Sequence, residues 1–292
     1  MSLYNMLFKE NPDADYILDI LNLKREDFGR FRDIYLNAKG TEIIVFYPED
    51  GVSEVQKQQM ITQTGANTRV YAVKGNFDDA QTGVKQIFND SEFNAQLNAR
   101  GVKLSSANSI NIGRLIPQVA YYVHAYCKLV SQGVVKLGDE INVVVPTGNF
   151  GNILSAYYAK QIGLPVGKFI CASNENRVLT DFFETGVYDT RREFHLTNSP
   201  SMDILISSNL ERLIYIIAGN DAKANKDFMA SLSSEGKYEI TADMKAKLAD
   251  FYGGFATEEQ TLARISELFK DTNYVIDTHT AVAGAVYEDY KK

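Results

Sequence analysis

From residue 41 onward, short apolar runs alternate with longer stretches whose apolar positions recur at helical spacing. Residues 41–47 (TEIIVFY) read as a buried strand, and 53–64 (SEVQKQQMITQT) as a helix stopped by Gly65. A strand at 69–73 and a helix at 78–88 come next. Residues 111–130 then predict one long helix carrying Tyr121, Tyr122 and Tyr126. After it come a strand at 141–145 (INVVV), a helix at 151–161 and a strand at 168–172. This alternation predicts the α/β class, parallel twisted sheets flanked by helices on both faces. Past residue 200 the pattern becomes helix-rich, with helices expected at 201–217, 221–231, 241–252 and 257–270. A strand-like piece, 274–276, leads to His279 and a last helix. Residues 12–23 and 25–36 both read as helical with no strand beside them. The chain thus divides into a helical N-terminal segment, 1–38, and an α/β region, 39–292.

Composition narrows the picture modestly. With 292 residues, 45% apolar and 23% charged, the chain can bury a core without disulfides or metals. A net charge of −7 disfavours nucleic acid and anionic membrane as partners, since both need a basic face. Cys127 and Cys171 form neither a metal pattern nor a disulfide framework, which predicts a reduced, cytoplasmic protein. No apolar run approaches the ~18 residues of a membrane span, and the first 25 residues lack a signal peptide's layout.

The sharpest chemical signal is the run Pro146, Thr147, Gly148, Asn149, Phe150, Gly151, Asn152, which succeeds a strand and opens a helix. A parallel sheet presents its ligand site at such a junction. Two glycines let the backbone approach a ligand closely, and the first-turn amides with the helix dipole bind anions. The Thr147 hydroxyl and the amides of Asn149 and Asn152 offer further donors. With no lysine in the loop, one phosphate group fits better than a triphosphate. An ordinary strand-to-helix turn has the same spacing. A second run, residues 105–114 (SSANSINIGR), carries more small polar groups than one helix cap uses. The third, residues 277–283 (DTHTAVA), places His279 at a strand-to-helix junction, where it serves as a ligand contact or, more simply, as a helix-entry residue. His124 and His195 are scattered, so no metal site is expected, and no nucleophile elbow is present.

Taken together, the stretches 39–60, 75–85, 105–118, 146–176 and 277–283 resemble threonine synthase, in the branch found in many bacteria and in fungi. The GNFGN and SANSIN segments are specific to that family, and the likeness runs from about residue 39 to 288. The resemblance implies the fold of the tryptophan synthase β subunit and pyridoxal 5'-phosphate (PLP) as cofactor. It implies a lyase of threonine biosynthesis that converts O-phosphohomoserine and water to threonine and phosphate. Thr147, Gly148, Asn149, Phe150, Gly151 and Asn152 would hold the PLP phosphate, while Ser106, Asn108, Ser109 and Asn111 would contact substrate. PLP-dependent dehydratases and cysteine synthases share the fold but usually carry a glycine-richer phosphate loop.

Three parts of the family pattern are not found in these 292 residues. The cofactor lysine, in a P-T-x-A-F-K-D context, and the T-S-G-D-T-G loop after it match nothing in residues 1–38. Asp27, Phe28, Gly29, Arg30 and Phe31 weakly resemble the residues after that lysine, but Arg25 and Glu26 precede them. Nor does the closing T-A-S-P-x-K-F segment, partner of the cofactor's ring nitrogen, occur before Lys292. Only Lys9 and Lys24 lie in the first 38 residues, with Lys24 the nearest by position. These gaps leave two expectations: an inactive piece or rearrangement of threonine synthase, or a phosphate- or PLP-binding module that reuses its fold.

Overall fold

The computed structural model describes residues 40–49, 52, 54–63, 65–75, 77–106 and 111–292. The helices expected at 12–23 and 25–36, and the whole 1–38 segment, lie outside the described residues. The described chain divides into two compact units, 40–106 and 111–292.

In the first unit, β1 (Ile43–Pro48) is succeeded by α1 (Glu54–Ile61) and β2 (Thr68–Val73). The strands run parallel in the register Ile43↔Thr68 to Pro48↔Val73, as a strand–helix–strand crossover requires. Then come α2 (Phe77–Asn89), amphipathic as expected, and an additional short helix, α3 (Ser91–Ala99). Asp90 starts α3 by accepting the Phe93 amide at 2.9 Å.

The second unit opens with α4 (Ile112–Leu115), a 3-10 turn (Ile116–Gln118) and α5 (Val119–Ser131), where the sequence suggested one unbroken helix. Pro117 accounts for the break, because it has no amide to donate and its ring crowds the preceding turn. From there β3 (Ile141–Pro146), α6 (Gly151–Gln161) and β4 (Val166–Ser173) fall close to their expected places. Next along the chain are α7 (Val178–Thr185), β5 (Val187–Asp189), α8 (Leu210–Ile217), α9 (Ala222–Glu235), β6 (Lys237–Glu239) and α10 (Ala242–Ala246). The unit closes with β7 (Phe251–Phe255), α11 (Glu258–Thr272) and α12 (Thr278–Tyr290).

Strands β3, β4 and β7 form a parallel sheet in that order, while β5 and β6 pair antiparallel. The period of two in β4 sorts its side chains onto two covered faces. Ile170 and Ala172 pack with Met202, Ala256 and the α12 residues Val282, Ala283 and Val286. On the other face Phe169 stacks on Phe251 at 4.9 Å and touches Tyr157 of α6, while Phe183 of α7 lies parallel to Phe251 at 5.1 Å. Burial on both faces explains why these strands read as continuous apolar runs.

Three expectations change. The helix expected at 201–217 begins only at Leu210, and residues 203–209 are a loop. The helix expected at 241–252 ends at Ala246, and its tail is strand β7 instead. Residues 274–276 are not a strand, and Tyr274 and Val275 are exposed. The glycines of β7 exist for close packing. A Cβ on Gly253 would lie 2.9 Å from Thr180 Cα, and one on Gly254 would lie 2.6 Å from a Val286 methyl. Gly253→Ala should therefore destabilise by about 1–3 kcal/mol, since the obstructing atoms are backbone. Urea unfolding would show this as a lower midpoint, and an unchanged midpoint would contradict the packing described.

Candidate active site

The loop between β3 and α6 is built from the sheet outward. The Thr147 amide continues the β-ladder by donating to Ala172 O at 2.8 Å. The Thr147 hydroxyl donates back to Val145 O at 2.7 Å and is buried. That hydroxyl is thereby committed to the sheet, not to a ligand. Burial pushes the neighbouring Cys171 thiol up to about 12, so it stays a neutral core group. Gly148 is required by space alone, because a Cβ there would sit 2.5 Å from Ser201 O. Phe150 adopts φ 63°, the left-handed conformation that costs a non-glycine residue roughly 1–2 kcal/mol. Its fully buried ring, about equally placed against Phe183 and Phe251 at 6.1 Å, holds it there.

Both loop carbonyls before Phe150 are tied down. Ser207 Oγ donates to Gly148 O at 2.7 Å, and Asn149 O accepts the Asn209 amide at 3.1 Å and Asn209 Nδ2 at 2.8 Å. In a trans peptide the N–H points opposite to the C=O of the same unit. The amides of Asn149 and Phe150 therefore face away from the 207–209 segment. The first bond within α6 runs from Leu154 N to Phe150 O at 3.0 Å, and no side chain caps the helix. The amides of residues 151–153 accordingly have no acceptor inside the helix. Consecutive amides from 149 to 153 thus line a left-to-right-handed kink at a helix's positive end, a geometry of the kind that suits an anion.

The other expected residues fall in different places. Asn152 bridges to the preceding helical segment: it accepts from the Tyr122 hydroxyl and donates to Gln118 Oε1 at 3.3 Å. Burial pushes the Tyr122 phenol well above its usual range, so it remains a donor. Asn111 caps α4, its Oδ1 accepting the Gly113 amide at 2.9 Å. Ser106 belongs to the 40–106 unit, while Asn108 and Ser109 lie outside the described residues. His279 Nε2 accepts the Ser201 amide at 3.3 Å, and its Nδ1 lies 3.1 Å from Asp277 Oδ1. This pairing puts the ring proton on Nδ1 and makes His279 a prop for the 199–202 turn. Among the described residues no His, Cys, Asp and Glu group could hold a metal, and no helix is long and apolar enough to cross a membrane.

Sequence reasoning misses the residues that grip the loop from outside, Ser201, Ser207 and Asn209. It also misses the cluster of buried Asn174 and Asn176 with half-buried Asp203 behind them. The only signal is the polar run 207–209 inside an otherwise apolar periodic stretch.

No protein-family model matches the chain. Threonine synthase-like 1 of Macaca fascicularis is 48% identical over 247 residues, 84% of this chain and 33% of that protein. Threonine synthase of Schizosaccharomyces pombe is 35% identical over 265 residues, 84% of this chain and 50% of that protein. The crystal structure of PLP-bound threonine synthase from Brucella melitensis superposes with a TM-score of 0.77 at 36% identity, covering 88% of this chain and 53% of that one. The chain therefore spans about a third to a half of the length of the curated relatives it matches. The solved structures bear out the α/β fold with parallel sheets flanked by helices.

Proposed function

We propose, on the premise that this chain is homologous to the threonine synthases over about 85% of its length, that it binds PLP by its phosphate at residues 148–153 and belongs to a site acting on O-phosphohomoserine. The proposed overall reaction is conversion of O-phosphohomoserine and water to threonine and phosphate. One observation supports this reading: the carbonyl edge of the loop is anchored at Gly148 and Asn149, which leaves the amide edge facing away from the 207–209 segment.

The residues fit the cofactor. The loop itself, residues 146–152, contains no lysine or arginine, so its donors are neutral amides and a helix dipole. Such a set suits one phosphate ester better than a polyphosphate, which needs cations or a metal. When bound, PLP supplies an electron sink for carbanion chemistry. The chain's own part is to orient the phosphate through the amides of Asn149, Phe150, Gly151, Asn152 and Ile153. Thr147 and Asn152 act through their backbone and through packing, because their side chains already have partners. Ser106, Asn108, Ser109 and Asn111 remain the proposed substrate contacts.

Titrating inorganic phosphate and then PLP into isotope-labelled protein tests the reading. The amide signals of residues 149–153 should move first and most, and movement confined to distant amides would refute it. Asn111 has its own test, because its oxygen is used by the cap. Asn111→Ala should cost about 1 kcal/mol of stability from the cap alone. A larger loss in substrate affinity than in stability supports the contact, and equal losses leave only capping.

The second reading, a PLP- or phosphate-binding module without turnover, is favoured by the partners of four lysines of the 111–292 unit. Lys160 pairs with Asp250 at 2.7 Å, and Lys168, Lys245 and Lys247 donate to backbone carbonyls of Ala249, Glu184 and Ile217.

A further inference from the structure

The segment 197–209 does for the phosphate loop what no residue of the loop does for itself. It supplies Ser207 Oγ to Gly148 O, two Asn209 donors to Asn149 O, and the Ser201 carbonyl that leaves room only for glycine at 148. A segment that fixes a ligand-binding turn must itself be fixed, yet most of this one lacks regular structure.

One carboxylate ties the first half of this segment to the turn leaving β4, beside the His279 contact to Ser201. Asp203 Oδ1 accepts Asn174 Nδ2 at 2.7 Å, the Thr197 hydroxyl at 2.7 Å and Asn176 Nδ2 at 3.1 Å. Asp203 Oδ2 accepts the Thr197 amide at 3.0 Å. Asn174 and Asn176, on the turn leaving β4, are buried to 1% and 3% exposure, and Ser199 beside them is fully buried. Asn174 also donates to Ser199 Oγ at 3.0 Å, and Asn176 donates to His195 O and accepts the His195 amide. Because the acceptor is a carboxylate, its four hydrogen bonds from neutral donors are charge-assisted and of the stronger kind. At the far end, the Tyr188 hydroxyl donates to Leu205 O at 2.9 Å and accepts the Ser207 amide at 2.8 Å. This places Ser207 directly under Gly148.

We infer that Asp203 is a positioning residue for the phosphate loop, setting the direction of the Asn149 and Phe150 amides through Ser207 and Asn209. It touches no ligand itself, and the inference rests on the reading of the loop as the PLP-phosphate site. Asp203→Asn keeps the shape but turns one acceptor oxygen into a donor facing other donors. Ser207→Ala removes only the bond to Gly148 O.

The test uses the full chain and two readouts. The first is affinity for PLP and for inorganic phosphate. The second is hydrogen exchange at the Asn209 amide, with the chemical shifts of residues 148–151, measured without any ligand. Asp203→Asn should weaken PLP binding about tenfold, and Ser207→Ala about threefold, corresponding to roughly 1.4 and 0.7 kcal/mol. Asn209 exchange should rise in Asp203→Asn while the sheet amide of Phe169, bonded to Asp250 O at 2.8 Å, keeps its protection. Wild-type binding with unchanged affinity and unchanged 148–151 shifts in both variants would overturn the inference. If wild type binds no PLP, the functional reading fails, and the exchange and shift data alone decide the positioning role. If Asp203→Asn does not fold, Ser207→Ala decides, since it leaves the carboxylate cluster intact.

Discussion

Gly151→Asp is expected to weaken phosphate and PLP binding by about two orders of magnitude while leaving the fold intact. Gly151 is the first residue of α6 and one of the proposed amide donors. An aspartate there would place a negative charge on the order of 4 Å from the proposed phosphate position. At the effective dielectric of a partly buried site, repulsion between unit charges at that range is of order 4 kcal/mol, and about 3 kcal/mol corresponds to a factor near 100 in affinity. Gly151 is buried, so the favourable helix dipole offsets only part of the carboxylate's desolvation, and the variant should stay folded with somewhat lower stability. A loss of affinity far larger than the loss of stability distinguishes a functional anion site from a structural turn. Gly151→Ala is the control for bulk without charge, and it should bind more tightly than the aspartate variant. Equal phosphate affinity in wild type and Gly151→Asp would remove the site from this loop.

The backbone around that site is legible in the sequence because its signals are local. Residues 143–145 of β3 and 169–172 of β4 are continuous β-branched or apolar runs, and the two glycines between β3 and Gln161 announce the turn. Local pattern also explains the failures. Residues 201–217 show apolar positions at helical spacing, but Ser207 and Asn209 spend their side chains on the carbonyls of Gly148 and Asn149. Residues about 60 positions away thus outweigh local periodicity, and the helix starts only at Leu210. Likewise Gly253 and Gly254 read as a helix end, because a single sequence does not reveal that α7 and α12 press on the two faces of β7. At Tyr274, Val275 and Ile276 the β-branched signal is present, but no neighbouring strand pairs with them among the described residues. Asn111 is ambiguous for a different reason: a cap and a ligand contact ask for the same side chain, and the cap is what the structure shows.

Incubated with PLP and reduced by borohydride, this chain alone is expected to yield no lysine labelled stoichiometrically above its surface amines. It is also expected to form no measurable threonine from O-phosphohomoserine. Covalent attachment needs an amine in direct contact with the cofactor's aldehyde carbon, so approximate placement is not enough. Lys160 lies at the far end of α6 from the phosphate loop, about 14 Å along a helix that rises 1.5 Å per residue, and it is paired with Asp250. Lys168, Lys245 and Lys247 are bonded to carbonyls of Ala249, Glu184 and Ile217. Lys9 and Lys24 lie outside the described residues, and neither has the sequence context of the family's lysine. The phosphate cradle makes no demand on any of them, so PLP should still bind reversibly and perturb the amides of residues 149–153. Peptide mass mapping after reduction would overturn this expectation by finding one lysine modified in full, and would name the residue. A separate polypeptide carrying the P-T-x-A-F-K-D segment then distinguishes the two functional readings. Recovery of both label and turnover on its addition indicates a threonine synthase lacking one piece, whereas tight PLP binding without either indicates a binding module.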